Sequence, residues 1–254
     1  MNDKVAFGST GRKISRIGIS TSFGADRQVY DAAFERGCNY FTWGTFIKGR
    51  ATPFKYFVRD VISNGKREEL FISLLSYSHT AFLGDIFLHS ALKQLKTDYV
   101  DGLILGYFSK KPSRRLLEWA QRAKEKGFVR SLGVTTHNRK IVTQLAAEDE
   151  FDFIHFRYNA AHRGAEQDIF PGLPDSRPGT VSFTATCWGK LVAGNAQGPS
   201  AGDCYRFVLG RSEIDCCMMG VKDVAMLNEN LDEIEKGPLS GDRLKRLLSA
   251  ADAL

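Results

Sequence analysis

The sequence predicts an α/β fold in which eight parallel strands alternate with helices and close into a (β/α)8 (TIM) barrel, preceded by a short N-terminal β-hairpin. Three observations predict it. Eight short apolar runs are spread along the chain, each of strand length. Stretches of helical period fill most of the gaps between them. The segment after the first run, "SFGADRQ", is too poor in glycine to be the phosphate loop of the rival open, doubly wound sheet.

The elements follow in order. "KVAFGSTGRKIS" reads as the hairpin, with Gly8 and Gly11 flanking a turn that needs left-handed backbone. The strands are "RIGIST" (16–21), "CNYF" (38–41), "LFISLL" (70–75), "VDGLIL" (100–105), "VRSLGV" (129–134), "FDFIHFRY" (151–158), "TVSFTA" (180–185) and "CCMMG" (216–220). They are rich in Val, Ile, Leu and Phe, as strands covered on both faces should be. Phe54, Phe57, Val58, Val61 and Ile62 share one helix face. Leu116, Leu117, Ala120 and Ala123 share another, and so do Val224, Leu227, Leu231 and Ile234. Leu244, Leu247, Leu248 and Ala251 mark a last amphipathic helix, while Gly37, Gly65 and Gly127 sit where helices should stop. No linker divides the chain, so residues 1–254 are read as one domain. The least regular segments, 163–178 and 193–202, fall after strand ends, where barrels carry their ligand loops.

With 254 residues and 43% hydrophobic content the chain can bury a sizeable core. The formal charge of +6 is mild. The densest basic stretch, Lys110 to Arg130, has helical spacing and reads as a solvated helix face. It lacks any zinc, RNP-like or glycine-clamp pattern, so nucleic acid is not expected as a partner. The five cysteines contain no CxxC and fit a reducing cytoplasm better than a disulfide framework. "MNDKVAF" does not read as a secretory signal, and no stretch approaches the ~18 apolar residues of a membrane span, so no membrane role is expected. No HExxH or similar ligand spacing occurs, so no metal is expected, and no GxSxG nucleophile elbow is present. Cys187 beside Trp188 reads as a small buried thiol rather than a nucleophile. Nothing in the sequence sets an oligomeric state.

Six segments then carry a family likeness: "SRIGIS", "GCNYF", "LKTDYVDGLIL", "KEKGFVRSLGVTTHN", "HFRYNAAHR" and "MMGVKDVAMLNENL". In this order and spacing the chain resembles the aldo-keto reductases over nearly its whole length. The resemblance implies a (β/α)8 barrel that binds NADP(H), or sometimes NAD(H), without a Rossmann fold. It implies carbonyl reduction by hydride transfer, with a Tyr as acid assisted by a Lys, an Asp and often a His.

That catalytic set is missing. The position of the family Asp, after "NYF", is Thr42. The Tyr position is Ile47, beside Phe46. The Lys position is Leu75, and the His position is Gly106. None of these side chains can take the usual role, and without the Lys a nearby Tyr stays near its free pKa of about 10. Tyr77, His79 and Tyr107 lie close by in sequence, and Tyr77 is the candidate for a displaced acid. On the cofactor side, Thr135 and Thr136 stand for a Ser-Asn pair, and His155 stands for a Gln that holds the nicotinamide amide. His155 also reads as a satisfied core histidine, and it is a further candidate for a substitute acid. Thr184 replaces the Tyr that stacks under the nicotinamide, with Trp188 as a possible other platform. Gly220, Glu229 and Asn230 keep the pattern of the adenine end. Met226 replaces an Arg for the 2′-phosphate, and Lys222 can supply some charge.

Arg157, His162 and Arg163 form a candidate anion site, and Glu166 and Asp168 are alternative partners that would merely pin the loop. A small-molecule ligand is the expected partner. Three functions stay open. One is an NAD(P)-dependent oxidoreductase with a non-standard proton donor, ordinary carbonyl reduction being doubtful. The second is a pseudoenzyme barrel binding a nucleotide, an anionic metabolite or a protein. The third is a different reaction at the barrel mouth.

Overall fold

The computed structural model describes residues 4–44, 51–193 and 198–254. Strands β1 (Lys4–Ala6) and β2 (Lys13–Ser15) pair antiparallel as the predicted hairpin. Eight parallel strands follow: β3 (Ile17–Ser20), β4 (Tyr40–Gly44), β5 (Phe71–Ser76), β6 (Val100–Leu105), β7 (Val129–Thr136), β8 (Phe153–Arg157), β9 (Gly179–Phe183) and β10 (Cys216–Met219). Each pairs with its neighbours in chain order. The pairing of β10 with β3, through Cys217 with Ile17 and Met219 with Ile19, closes the barrel.

Helices α1 (Arg27–Glu35), α2 (Thr52–Ser63), α3 (Ala81–Leu95), α4 (Arg114–Glu125), α5 (Val142–Ala146), α6 (Ala165–Asp168), α7 (Ala201–Leu209), α8 (Val224–Ile234) and α9 (Gly241–Asp252) surround it. None of these helices is long and apolar enough to cross a membrane. Their apolar stripes bury where the period places them. Phe54, Phe57, Val58 and Val61 of α2 lie against the strands, as do Leu227 and Leu231 of α8. On helix α4 the charged side chains Arg114, Arg115, Glu118, Arg122 and Glu125 are exposed, the solvated face expected of it, and the opposite face packs inward. Trp119 is buried, and its indole Nε1 donates to Asp85 on α3 across 3.1 Å. The approach is possible because position 84 carries no side chain, and a Cβ there would sit 2.8 Å from the indole.

Two apolar layers result. One lies between strands and helices. The other fills the barrel interior and contains Phe7, Ile14, Tyr40, Phe71, Leu75, Ile104, Phe153, Val181, Cys216 and Met218. Phe7, from the hairpin turn, enters from the N-terminal end of the strands. Its ring meets Tyr40, Phe71 and Phe153 at centroid distances of 5.6, 5.4 and 5.0 Å. Gly8 makes this entry possible. It holds φ at +49°, and a Cβ there would lie 2.1 Å from the backbone nitrogen of Gly179. The same end holds Asp101, fully buried, with its carboxylate 2.8 Å from Arg67 and accepting the Ile72 N–H at 2.9 Å. Residues at this face secure the barrel, and the opposite face is left for ligands.

Candidate functional site

Side chains two apart on a strand share a face, so the inward set can be followed up the barrel. On β4 it runs Tyr40, Thr42, Gly44, on β5 Phe71, Ser73, Leu75, and on β8 Phe153, His155, Arg157. These rows bring Thr42, Leu75, Tyr77, Tyr107, Thr135, His155, Phe183 and Met218 around one cavity at the C-terminal end of the strands, with a volume of about 90 Å³. Pockets for drug-sized ligands begin near ~300 Å³. Two larger depressions, of about 870 and 920 Å³, lie between outer helices and away from this mouth.

The cavity is small because its walls are filled. At Gly106 a Cβ would stand 2.6 Å from Leu75 Cδ1 and 2.8 Å from Thr135 Cγ2. The space of a larger residue at 106 is therefore taken by its neighbours. Leu75 and Thr42 are both buried, and Thr42 Oγ1 points to Met218 Sδ at 3.8 Å. Ile47 lies outside the described residues, as does Phe46.

Aromatic rings cover the cavity. Tyr77 lies over Gly44, and its ring is 5.8 Å from that of Tyr107. Tyr107 stacks on His137 at 5.1 Å and 11°, and Phe183 meets His137 edge-on at 5.2 Å. Burial, then the neighbouring Tyr107, pushes the Tyr77 phenol up to about 12. An acid held so high is poorly matched to proton transfer near neutrality. His79 stacks on Phe108 and reaches the carbonyl of Gly106 at 3.2 Å.

Beneath the mouth lies a buried hydrogen-bond chain. Ser73 Oγ donates to the Tyr40 hydroxyl at 3.1 Å, and that hydroxyl meets His155 Nε2 at 2.8 Å. Burial pushes the imidazole down to about 3, so it is neutral. Tyr40 and Ser73 were missed as site residues by sequence reasoning. The signal for them was their two-residue offset from Thr42 and Leu75.

The remaining candidates divide into several places. Thr136 Oγ1 accepts from the backbone of Asn138 at 2.9 Å. Thr184 has left-handed φ (+63°), and its carbonyl accepts from Asn159 Nδ2 at 2.7 Å. Cys187, Trp188 and Gly189 are also left-handed, and Cys187 is buried with Sγ 3.8 Å from His162 Nδ1. Trp188 is 61% exposed, and Arg157 lies over its ring. Arg163 does not join Arg157 in an anion site, because its charge is engaged by Asp252 at 2.5 Å. Glu166 pairs with Arg211 and Asp168 with Arg139, so these carboxylates pin the loop through partners that the sequence did not indicate. At the C-terminal end, Gly220 is covered by the Phe23 ring. Lys222 and Glu229 are exposed, and Asn230 is buried with Nδ2 against Met219 Sδ at 3.9 Å. Among the described residues no three His, Cys, Asp or Glu side chains come together as metal ligands do.

This donor set does not fit a nicotinamide held in the manner the resemblance implies. The Thr136 hydroxyl and His155 Nε2 are already bonded, position 184 offers no ring platform, and Tyr107 and Phe183 occupy the mouth.

No family model and no curated protein sequence matches the chain. Solved structures do. An aldo-keto reductase from Bacillus halodurans, in its holo form, superposes with a TM-score of 0.80 at 16% identity, over 100% of this chain and 98% of that one. A protein from Pseudomonas aeruginosa described as an aldo-keto reductase gives a TM-score of 0.75 at 14% identity, over 92% and 95%. The chain thus shares the fold of these aldo-keto reductases.

Proposed function

We propose that the chain is a divergent aldo-keto reductase-type barrel whose mouth binds a small-molecule ligand and which has given up ordinary carbonyl reduction. The observation that carries this reading is the packing at Gly106. Leu75 and Thr135 close the space there, and Leu75 and Thr42 stand where the resemblance puts a cation and a carboxylate. No charged side chain lines the cavity among the described residues. What remains is hydrogen bonding by hydroxyls and by a neutral imidazole, which suits binding better than proton transfer. A cytoplasmic location belongs to the same proposal, since five unpaired cysteines suit a reducing compartment.

The test is calorimetric titration with NADPH, NADP, NADH and NAD, followed by turnover assays on a panel of aldehydes and ketones. The expected result is no turnover with any pair, and sustained reduction of any carbonyl would overturn the proposal. A second reading, an oxidoreductase with Tyr77 as displaced acid, draws support from Tyr77 and His155 lining the same cavity. On that reading turnover is present and Tyr77→Phe abolishes it while leaving nucleotide affinity intact.

A further inference from the structure

Arg157 ends β8 and shares the inward face with Phe153 and His155. It is partly buried. Among the described residues its guanidinium has neither a hydrogen bond nor a carboxylate partner, and its aromatic contact is the Trp188 ring, 5.9 Å from Cζ. Other arginines of the loop after β8 and its surroundings are paired: Arg139 with Asp168, Arg163 with Asp252 and Arg211 with Glu166.

The surroundings of Arg157 are positive as well. His162 meets Trp188 edge-on at 6.4 Å, and exposed Lys190 follows two residues later. Burial first, and then the charge of Arg157, holds His137 and His162 below the usual imidazole range. Arg139 and Lys190 add to the effect on His162, and no carboxylate opposes it. A partly desolvated, unpaired cation is costly to keep, and an oxyanion would relieve it. A guanidinium fork matches two oxygens of a carboxylate or phosphate. The exposed indole beside it offers a flat apolar surface.

We propose that Arg157 is the anion-binding group of the barrel mouth, and that its ligand is a small molecule carrying a phosphate or carboxylate on a planar ring that lies against Trp188. The proposal rests on reading the mouth as a ligand site and names the class of ligand.

The test is titration of the full chain with phenyl phosphate, benzoate and inorganic phosphate at constant ionic strength. Heat and tryptophan emission are followed, Trp188 being exposed while Trp43 and Trp119 are buried. Phenyl phosphate or benzoate should bind saturably and at least about tenfold more tightly than inorganic phosphate, a difference of roughly 1.4 kcal/mol. The preferred one identifies the head group. Arg157→Gln should weaken it by a similar factor, and Arg163→Gln should leave it unchanged. If Arg157→Gln does not fold, as read by circular dichroism, Arg157→Lys keeps the charge, loses the fork and should show the same direction of loss. Unchanged affinity in the folded Arg157 variant, equal binding of inorganic phosphate, or no saturable binding of either aromatic anion would overturn the proposal. Carbonyl turnover in the nicotinamide assays would sink the proposed function and leave this result standing. Absence of oxyanion binding would do the reverse.

Discussion

The Tyr40 hydroxyl meets His155 Nε2 at 2.8 Å in the barrel interior, and Ser73 supports the same hydroxyl from the other side. All three groups are buried, so each depends on the others for its hydrogen bonds. Tyr40→Phe leaves a buried imidazole nitrogen without a partner and should destabilise the chain by about 1–3 kcal/mol. Ser73→Ala removes one neutral hydrogen bond and should cost about 1 kcal/mol. Urea unfolding of the two variants gives the order. Equal stabilities would mean that the chain is not formed.

His155 also sets a pH dependence. Its folded pKa is depressed to about 3 by burial, while an unfolded histidine titrates near ~6.5. The unfolded chain therefore takes up a proton that the folded one refuses. The stability tied to the neutral ring is fully present above about pH 6.5 and is lost as the pH falls toward about 3. His155→Gln removes this proton. Between about pH 6 and 4 the slope of its unfolding free energy should be shallower than that of the parent by about 1.4 kcal/mol per pH unit. Parallel slopes would show that the ring is protonated in the folded state.

Returning a histidine to position 106 tests the packing at the mouth. Gly106→His must displace Leu75 and Thr135, whose methyl carbons lie 2.6 and 2.8 Å from the new Cβ. Overpacking of this kind costs about 1–3 kcal/mol. The melting temperature should fall by roughly 2–12 °C, at about 2–4 °C per kcal/mol for a chain of this size. Leu75→Ala combined with Gly106→His opens the space and should recover part of the loss relative to Leu75→Ala alone. Equal penalties in both backgrounds would place the crowding elsewhere.

At the opposite pole, Asp101 is fully buried against Arg67, with Arg12 and Arg130 at 3.6 and 3.8 Å. Asp101→Asn leaves Arg67 without its carboxylate, while Glu68 still pairs with Arg12 and Arg130. The substitution should destabilise the fold by about 3–5 kcal/mol, a cost typical of breaking one side of a buried pair. Thermal melts followed by far-ultraviolet circular dichroism will show it, and the oxyanion affinity at Arg157 should be untouched in the variant that remains folded.

Much of the fold was legible in the sequence because its signals are local. Each of the eight apolar runs contains or overlaps one barrel strand, and the run 100–105 coincides with β6. The alternation of Tyr40 with Thr42 and of Ser73 with Leu75 told which residues share a face. It did not tell which neighbour fills which space. That Leu75 and Thr135 both turn into the room beside Gly106 depends on strands whose register is set by closure of the whole barrel. The same holds for charge. Arg157 and Arg163 look alike in "HFRYNAAHR", and only the position of α9, nearly ninety residues on, gives one of them Asp252, while the other has no carboxylate partner among the described residues. Trp119 is a further case, since its burial within the basic stretch depends on a glycine in a different helix.

Phe7 stops the barrel at one pole, so exchange with solvent is confined to the other. A surface anchor or fluorescent reporter joined ahead of Lys4 would therefore emerge on the blind side. It would leave the Arg157–Trp188 rim facing outward, which makes amino-terminal immobilisation the orientation of choice for screening ligands on a sensor chip.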